Sequence, residues 1–405
     1  MSAVLLVLQS LVALPLLVLM TKGTVVAVGA MLLAAATRRQ RLGDRSGLPL
    51  AAAILLLTGA SAIWAVDPAG TLEKTVQLAA VLAVLLAMRG YADAWSESER
   101  ETLIRWSLIG WGVAALLPAI DAVAHRPVVA SISAVFDVDP RAYKFLSVDA
   151  FVHKNCAVIL VLTAFPIFAE LLRRRRLILL AAAAALLLVA IFYTGSSSAL
   201  MALLAGVLVW GLHWLCPRLM RLVLSLGVVV LPLAMPLVPM LIDRVAVTRA
   251  IPNFPPSFYQ RLEIWNFALE RICERPLLGW GFDAARSIPG GREKFHVSFS
   301  VPWMPEFYET STQFMPLHPH NGGLQIWLEL GAVGALLLAF TLWRLVRREV
   351  GPSRESSVMA GFVAAALVPS TVAFGMAQSW WLALLVMTWM TIKALPVGSL
   401  PSGHE

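Results

Sequence analysis

Apolar runs long enough to cross a bilayer recur along almost the whole chain, and no other feature limits its fold as strongly. A helix of roughly 17–25 apolar residues spans about 30 Å of hydrocarbon. Runs of this kind are centred near residues 12, 30, 57, 81, 111, 161, 185, 206, 231, 334, 366 and 386. Inside hydrocarbon every backbone N–H and C=O must find a partner within the protein. The expected class is therefore an all-α integral membrane protein with about twelve transmembrane helices. Composition agrees, with 59% hydrophobic and 14% charged residues and a mean hydropathy of +0.78, outside the range of soluble domains. The first run has no basic n-region and no small-residue cleavage site, so it reads as a membrane helix rather than a signal peptide.

Loop charge gives an orientation. Basic clusters stand at "RRQRLGDR" (38–45), "RRRR" (173–176), "CPRLMR" (216–221) and "RLVRREVGPSR" (344–354). Each follows an even-numbered run if the amino terminus is inside, so the excess of Lys and Arg on the inner side places both termini in the cytoplasm. The net charge of +8 is accounted for by these loops. No basic patch with interleaved aromatics points to nucleic acid. Cys156, Cys216 and Cys273 show neither metal-ligand spacing nor a paired framework, and read as packing residues.

Two outward connections are long, about 122–150 and 243–320. The second divides the chain into a membrane segment 1–242, a loop or cap 243–320, and a membrane segment 321–405. Loops of this length are usually functional or disordered. This one carries Trp265, Trp280, Trp303 and Tyr308 with eight basic against eight acidic residues, the composition of a folded cap containing amphipathic helices. Its first helix is expected from Ser257 as N-cap, with Gln260 as capping-box partner, to a stop at Pro276. Phe258, Leu262, Trp265, Leu269 and Ile272 form its apolar face. Arg261 falls on that face, where a cation must find an anion or snorkel to the headgroups.

The most polar cluster of the carboxyl-terminal half, "HPHNGG" (318–323), lies at the mouth of the tenth apolar run. Asn321 is the expected N-cap. The positive end of the helix dipole favours a neutral histidine there, the form a general base needs. No third ligand accompanies the two histidines at zinc spacing, so no metal is expected. Asp137 and Asp139 have a spacing some divalent-metal glycosyltransferases use, but Pro140 after them suggests a turn. There is no phosphate-binding P-loop and no dinucleotide fingerprint, and no cofactor is implied. A transporter would bury ionisable residues at mid-membrane. Glu329 is the clearest such residue, and no inverted repeat is visible.

Taken together, "R-x-x-x-W" at Arg261–Trp265, "RPLLGWGFD" at 275–283 and "HPHNGGLQIWLELGAVGALL" at 318–337 resemble the shared core of the O-antigen ligase and polymerase superfamily. "HKNCA" (153–157) is similar to the Asn-containing start of an earlier family helix. The resemblance implies a metal-independent, inverting glycosyltransferase of the GT-C type in the bacterial inner membrane, facing the periplasm. The donor would be O-antigen on undecaprenyl pyrophosphate and the acceptor a sugar of lipid A–core. His320 is the implied base and Arg261 the implied pyrophosphate ligand. His318, Asn321, Arg141, Lys144, Lys154, Asn155 and Trp265 are implied neighbours of the substrates. Ser197 stands in "YTGSSS", where relatives often carry an arginine. A polymerase, a protein O-oligosaccharyltransferase and, outside enzymes, a lipid-linked glycan flippase are the alternatives.

Overall fold

A computed structural model describes residues 7–19, 29, 45–124, 127–128, 130–131, 148–242, 256–299, 308–376 and 378–396. The helices are α1 (Ala13–Leu19), α2 (Leu48–Ala60), α3 (Pro68–Asp93), α4 (Glu97–Val123), α5 (Val148–Arg173), α6 (Leu177–Thr194), α7 (Ser197–Leu215), α8 (Pro217–Ala234), α9 (Leu237–Leu241), α10 (Pro256–Glu274), α11 (Gly322–Glu349), α12 (Ser357–Val372) and α13 (Ser379–Ala394). Among the described residues eight helices are long and apolar enough to cross a membrane. The chain is a multi-pass, mainly helical membrane protein. Of the twelve expected centres, the one near residue 30 lies outside the described residues. Those near 12, 57 and 386 fall in shorter elements: α1 preceded by a π turn, α2, and the 16-residue α13.

Helix α5 is the most enclosed span. Its apolar side chains from Ala157 to Leu162 are all at most 1% exposed. Trp111 of α4 reaches it, its indole N–H donating to Leu160 O at 3.2 Å. Beside it α7 and α12 approach closely through small residues, Ala202 and Gly206 against Gly361 and Ala365, a common solution where helices pack without water to expel. Outward-facing leucines and valines on α6, α7 and α8 are exposed on the chain, as lipid-facing positions are.

Several basic side chains at or near the short connections gather at one end of this bundle. Arg89 of α3 pairs with Glu349 at the end of α11. Arg100 donates to Lys393 O, Arg221 to Arg347 O and Arg348 to Ser46 Oγ. Glu170, 1% exposed, receives both Arg173 and Arg174. The opposite end carries the segments 61–67, 275–293, 314–321 and 373–378.

At that opposite end a second hydrophobic cluster forms, distinct from the core of the bundle. Leu262, Trp265, Ala268 and Ile272 of α10 pack with Trp280, Ala284, Ile288 and Met315, and against Leu324 and Leu328 of α11. Of the apolar stripe expected for α10, Phe258, Leu262, Trp265 and Ile272 join this cluster, while Leu269 does not and Ile264 and Ala268 are buried in it instead. The expected N-cap is absent: the helix begins at Pro256, so Ser257 lies inside its first turn, because proline suits the first helical position.

A β-hairpin, unanticipated in an all-α reading, follows. β1 (Lys294–Phe299) pairs antiparallel with β2 (Tyr308–Gln313), Lys294 opposite Gln313 and Phe299 opposite Tyr308. "KFHVSF" alternates polar and apolar residues, the strand period. Phe295 and Phe267 both pack on Phe314, at 4.8 and 5.4 Å between centroids. Of the cysteines, Cys156 is buried as expected. Cys216 and Cys273 are exposed, one at the corner between α7 and α8 and one on the outer side of α10.

Candidate functional site

The segment 275–283 explains how the site is assembled. Helix α11 is broken at Gly331, where φ is 63° and ψ −158°. Into the break lies the chain from Pro276 to Gly281, which takes over the orphaned backbone groups. Trp280 N donates to Leu328 O, Gly281 N to Glu329 O, and Ala332 N to Pro276 O, all within 2.8–2.9 Å. Backbone runs against backbone, so a Cβ on Gly279 would come within 2.5 Å of Glu329 C, and one on Gly331 within 2.3 Å of Leu277 C. The glycines of "LLGWG" and "LELG" are therefore a matched pair. The turn after α2 holds the other side of this segment: Trp64 Nε1 donates to Leu278 O, Thr71 Oγ1 to Phe282 O, and Phe282 N to Ser61 Oγ.

Just beyond it, Glu329 is fully buried. Its carboxylate accepts from Gln325 Nε2 at 2.9 Å and from Asp283 N at 3.0 Å, which ties α11 to the short turn Ala284–Arg286. Arg286 in turn pairs with Asp283 at 3.3 Å. Burial pushes the Asp283 carboxyl up, against the pull of Arg286 and Lys74. Glu329 thus joins α11 to the segment that follows α10.

The histidines occupy the entry to α11. Asn321 is the N-cap, its Oδ1 accepting from Leu324 N at 3.0 Å, while its Nδ2 meets Met235 Sδ at 3.3 Å. Trp265 pins the same entry from α10 by donating its indole N–H to Pro319 O at 2.9 Å. His320 has φ +53°, a left-handed conformation uncommon for a residue with a Cβ. That turn brings its Nδ1 to 3.0 Å from Ala373 O at the end of α12. A carbonyl only accepts, so Nδ1 carries the proton and Nε2 keeps a free lone pair. Among the described residues Nε2 has no hydrogen-bond partner. His318 differs. Its Nδ1 accepts from His320 N at 3.1 Å and its Nε2 lies 3.1 Å from the Gln378 amide, so both ring nitrogens are engaged. The two rings are 4.6 Å apart.

Electrostatics keeps both rings neutral. Burial, then the neighbouring His320 and Arg286, hold the His318 pKa down at about 3. Burial first, and the charge of Arg261 second, lower that of His320, partly offset by the bond to Ala373. Arg261 is itself largely desolvated, and burial lowers its pKa. No carboxylate among the described residues pairs with it. A half-buried guanidinium beside a neutral imidazole is a site prepared for an anion.

Of the residues singled out from sequence, His318, His320, Asn321, Trp265 and Arg261 come together here. Asn155 is buried in α5, with no contact to the histidines among the described residues. Arg141, Lys144, the side chain of Lys154 and the Asp137–Asp139 pair lie outside the described residues. Ser197 opens α7 at the same end of the bundle, with Ser196 as its N-cap accepting from Ala199 N. Four participants were not anticipated: Gln325, Gln378, Arg286 and the Ala373 carbonyl. They reach the site from α11, the turn Ala284–Arg286 and the connector between α12 and α13, so no spacing in the sequence announces them together.

The model of the O-antigen ligase family matches residues 182–339, from α6 to well inside α11, and so includes Arg261 and the histidine pair. A Rickettsia conorii protein named "Putative polysaccharide ligase" is 27% identical over 143 residues, 35% of this chain and 32% of the relative. One from Rickettsia prowazekii is 25% identical over 189 residues, 45% of this chain and 44% of the relative. The matched region is thus less than half the length of each relative.

Proposed function

Because residues 182–339 make this chain a member of the O-antigen ligase family, we propose that it transfers O-antigen polysaccharide from undecaprenyl pyrophosphate to a sugar hydroxyl of lipid A–core. The observation that carries this reading is the juxtaposition of His320, neutral and with no partner for Nε2 among the described residues, and Arg261, desolvated and with no carboxylate partner among them. The acceptor hydroxyl gives its proton to His320 Nε2 as its oxygen attacks the anomeric carbon. The bond from that carbon to the pyrophosphate oxygen breaks, and undecaprenyl pyrophosphate leaves with the electron pair. Direct displacement inverts the anomeric centre. The leaving group is already activated, so it needs charge neutralisation more than a proton. Arg261 supplies that, with Arg286 as the second cation next to the histidines, in the role the absent arginine at Ser197 leaves open. Any contribution of Arg141, Lys144, Lys154 or Asn155 to holding the donor adds to this pair. This is the chemistry of a GT-C-type enzyme that needs no metal and no cofactor.

Orientation and depth support an inner-membrane enzyme with its site at the periplasmic face and cytoplasmic termini. Arg89, Arg100, Arg173, Arg174, Arg221 and Arg348 lie at one end of the bundle, the pattern the positive-inside rule expects of a cytoplasmic face, and His318 and His320 lie at the other. Helix α12 has 16 residues and rises about 24 Å. The Ala373 carbonyl at its end therefore holds His320 close to the outer boundary of about 30 Å of hydrocarbon. Lipid-linked phosphates lie at that depth.

The test is reconstitution of purified protein with lipid-linked O-antigen and rough lipopolysaccharide, with products resolved on a gel. O-antigen-bearing lipopolysaccharide is expected. Lengthened lipid-linked chains would instead identify a polymerase, and a glycosylated protein acceptor an oligosaccharyltransferase. Unchanged glycans moved across vesicles would identify a flippase.

A further inference from the structure

The segment joining α12 to α13 packs onto the histidine pair and lies beyond the 182–339 match. Ala373 O holds His320 Nδ1 at 3.0 Å. Gly375 lies flat against the other ring, where an added Cβ would come within 3.2 Å of His318 Cδ2. Met376 N donates to Gln325 Oε1 at 3.0 Å. Gln378 stands at the N-cap of α13, where a short polar side chain normally bonds its own helix. It makes no such bond and instead reaches His318 Nε2 at 3.1 Å.

The protons on the rings fix what Gln378 does there. His320 N–H donates to His318 Nδ1, so that nitrogen is unprotonated and a neutral His318 carries its proton on Nε2. An Nε2–H needs an acceptor. The amide nitrogen of Gln378 is a donor, while its Oε1 is buried with no hydrogen-bond partner among the described residues. The two ends of a glutamine amide are assigned by hydrogen-bond logic. Turning this one by half a rotation replaces a donor facing a donor with an Nε2–H···Oε1 bond.

We propose that Gln378 is a positioning residue: its amide oxygen accepts the Nε2 proton of His318 and fixes that tautomer. His318 Nδ1 is thereby left to hold the His320 backbone N–H in the left-handed turn that presents His320 Nε2. The catalytic consequence rests on the reading of His320 as the base; the hydrogen-bonded chain from Gln378 through His318 to His320 does not.

Three variants test it: Gln378→Leu, Gln378→Glu and His318→Asn. Losing the acceptor in Gln378→Leu is expected to lower kcat about 10- to 100-fold, the scale of a misplaced reacting group, with the donor KM near that of the wild type. Gln378→Glu keeps an acceptor oxygen and should restore most of the rate. Asparagine at 318 offers Oδ1 in place of Nδ1 but has no ring proton, so adding Gln378→Leu to His318→Asn should cost little more. Ring-nitrogen NMR of 15N-histidine-labelled protein provides a readout independent of turnover. His318 should show a protonated Nε2 and bare Nδ1, and a tautomer mixture in Gln378→Leu. Fully additive losses, or an unchanged tautomer in Gln378→Leu, would overturn the proposal. If His320→Ala were active while the tautomer still responded to Gln378, the base assignment would fail and the Gln378–His318 link would stand.

Discussion

At the scale of single residues, two histidines two positions apart have unlike tasks because their surroundings differ. His320→Ala is expected to lower turnover about 10²–10⁴-fold, the usual cost of a lost general base, with unchanged membrane insertion. His318→Ala, expected from sequence to retain substantial activity, removes the acceptor for the His320 N–H and should show an intermediate loss. Assaying both variants at matched protein level separates the roles. Arg261→Lys keeps a charge but not the planar fork and should recover only part of what Arg261→Ala loses, seen mainly as a raised donor KM. The pH dependence follows from the lowered pKa of His320. Its basic form persists below the ordinary range near 6.5, so the acid limb of kcat/KM should lie below that value. Stability follows His318. Unfolded, the ring binds its proton near pH 6.5, and folded near about 3. Between these values the unfolded chain binds more protons, so the melting temperature should fall as pH drops through this window and stay flat above it. Arg261, Trp265 and His320 were legible in the sequence because they sit in one recognisable pattern of spacing and type. Gln378 was not, because it lies 58 positions from His320 and its N-cap position hides a long-range contact.

At the scale of elements, eight of the twelve expected membrane helices appear among the described residues at the length needed to span, readable from run length because hydrocarbon leaves the backbone few options. The break in α11 was not readable in this way. Apolar residues continue on both sides of Gly331, and the signal for the kink lies in the complementary glycine some fifty residues earlier. Gly279→Ala and Gly331→Ala each force a Cβ into opposing backbone as well as an unfavourable positive φ. The φ strain alone costs about 1–3 kcal/mol. Either variant should melt earlier in detergent and expose the cap to protease, whereas Gly112→Ala, whose Cβ meets open space, should do neither. The hairpin escaped notice for a different reason: six alternating residues are a weak signal inside a loop already read as helical.

At the scale of the whole molecule, the arginines that pair with Glu170 and Glu349 and the histidine pair lie at different ends of the bundle, and the loop charges carry the expectation of which end faces the cytoplasm. A cysteine at the exposed Arg292, in a chain lacking Cys156, Cys216 and Cys273, should react with an impermeant maleimide in cells whose outer membrane alone is opened. Labelling only after the inner membrane is breached would invert the topology.

The interrupted helix also constrains how the protein is made. When α11 enters the bilayer, its amino-terminal turns beyond Gly331 carry backbone groups that lipid cannot satisfy, and their partners lie in the stretch from Pro276 to Gly281. That stretch leaves the ribosome first, so in the proposed topology it would already be across the membrane and available when α11 arrives. Insertion of the helix and closure of the site are then a single event. A nascent chain stopped before residue 322 would hold Arg261, Arg286, His318 and His320 and still lack α11 (Gly322–Glu349), the span that anchors the segment presenting them.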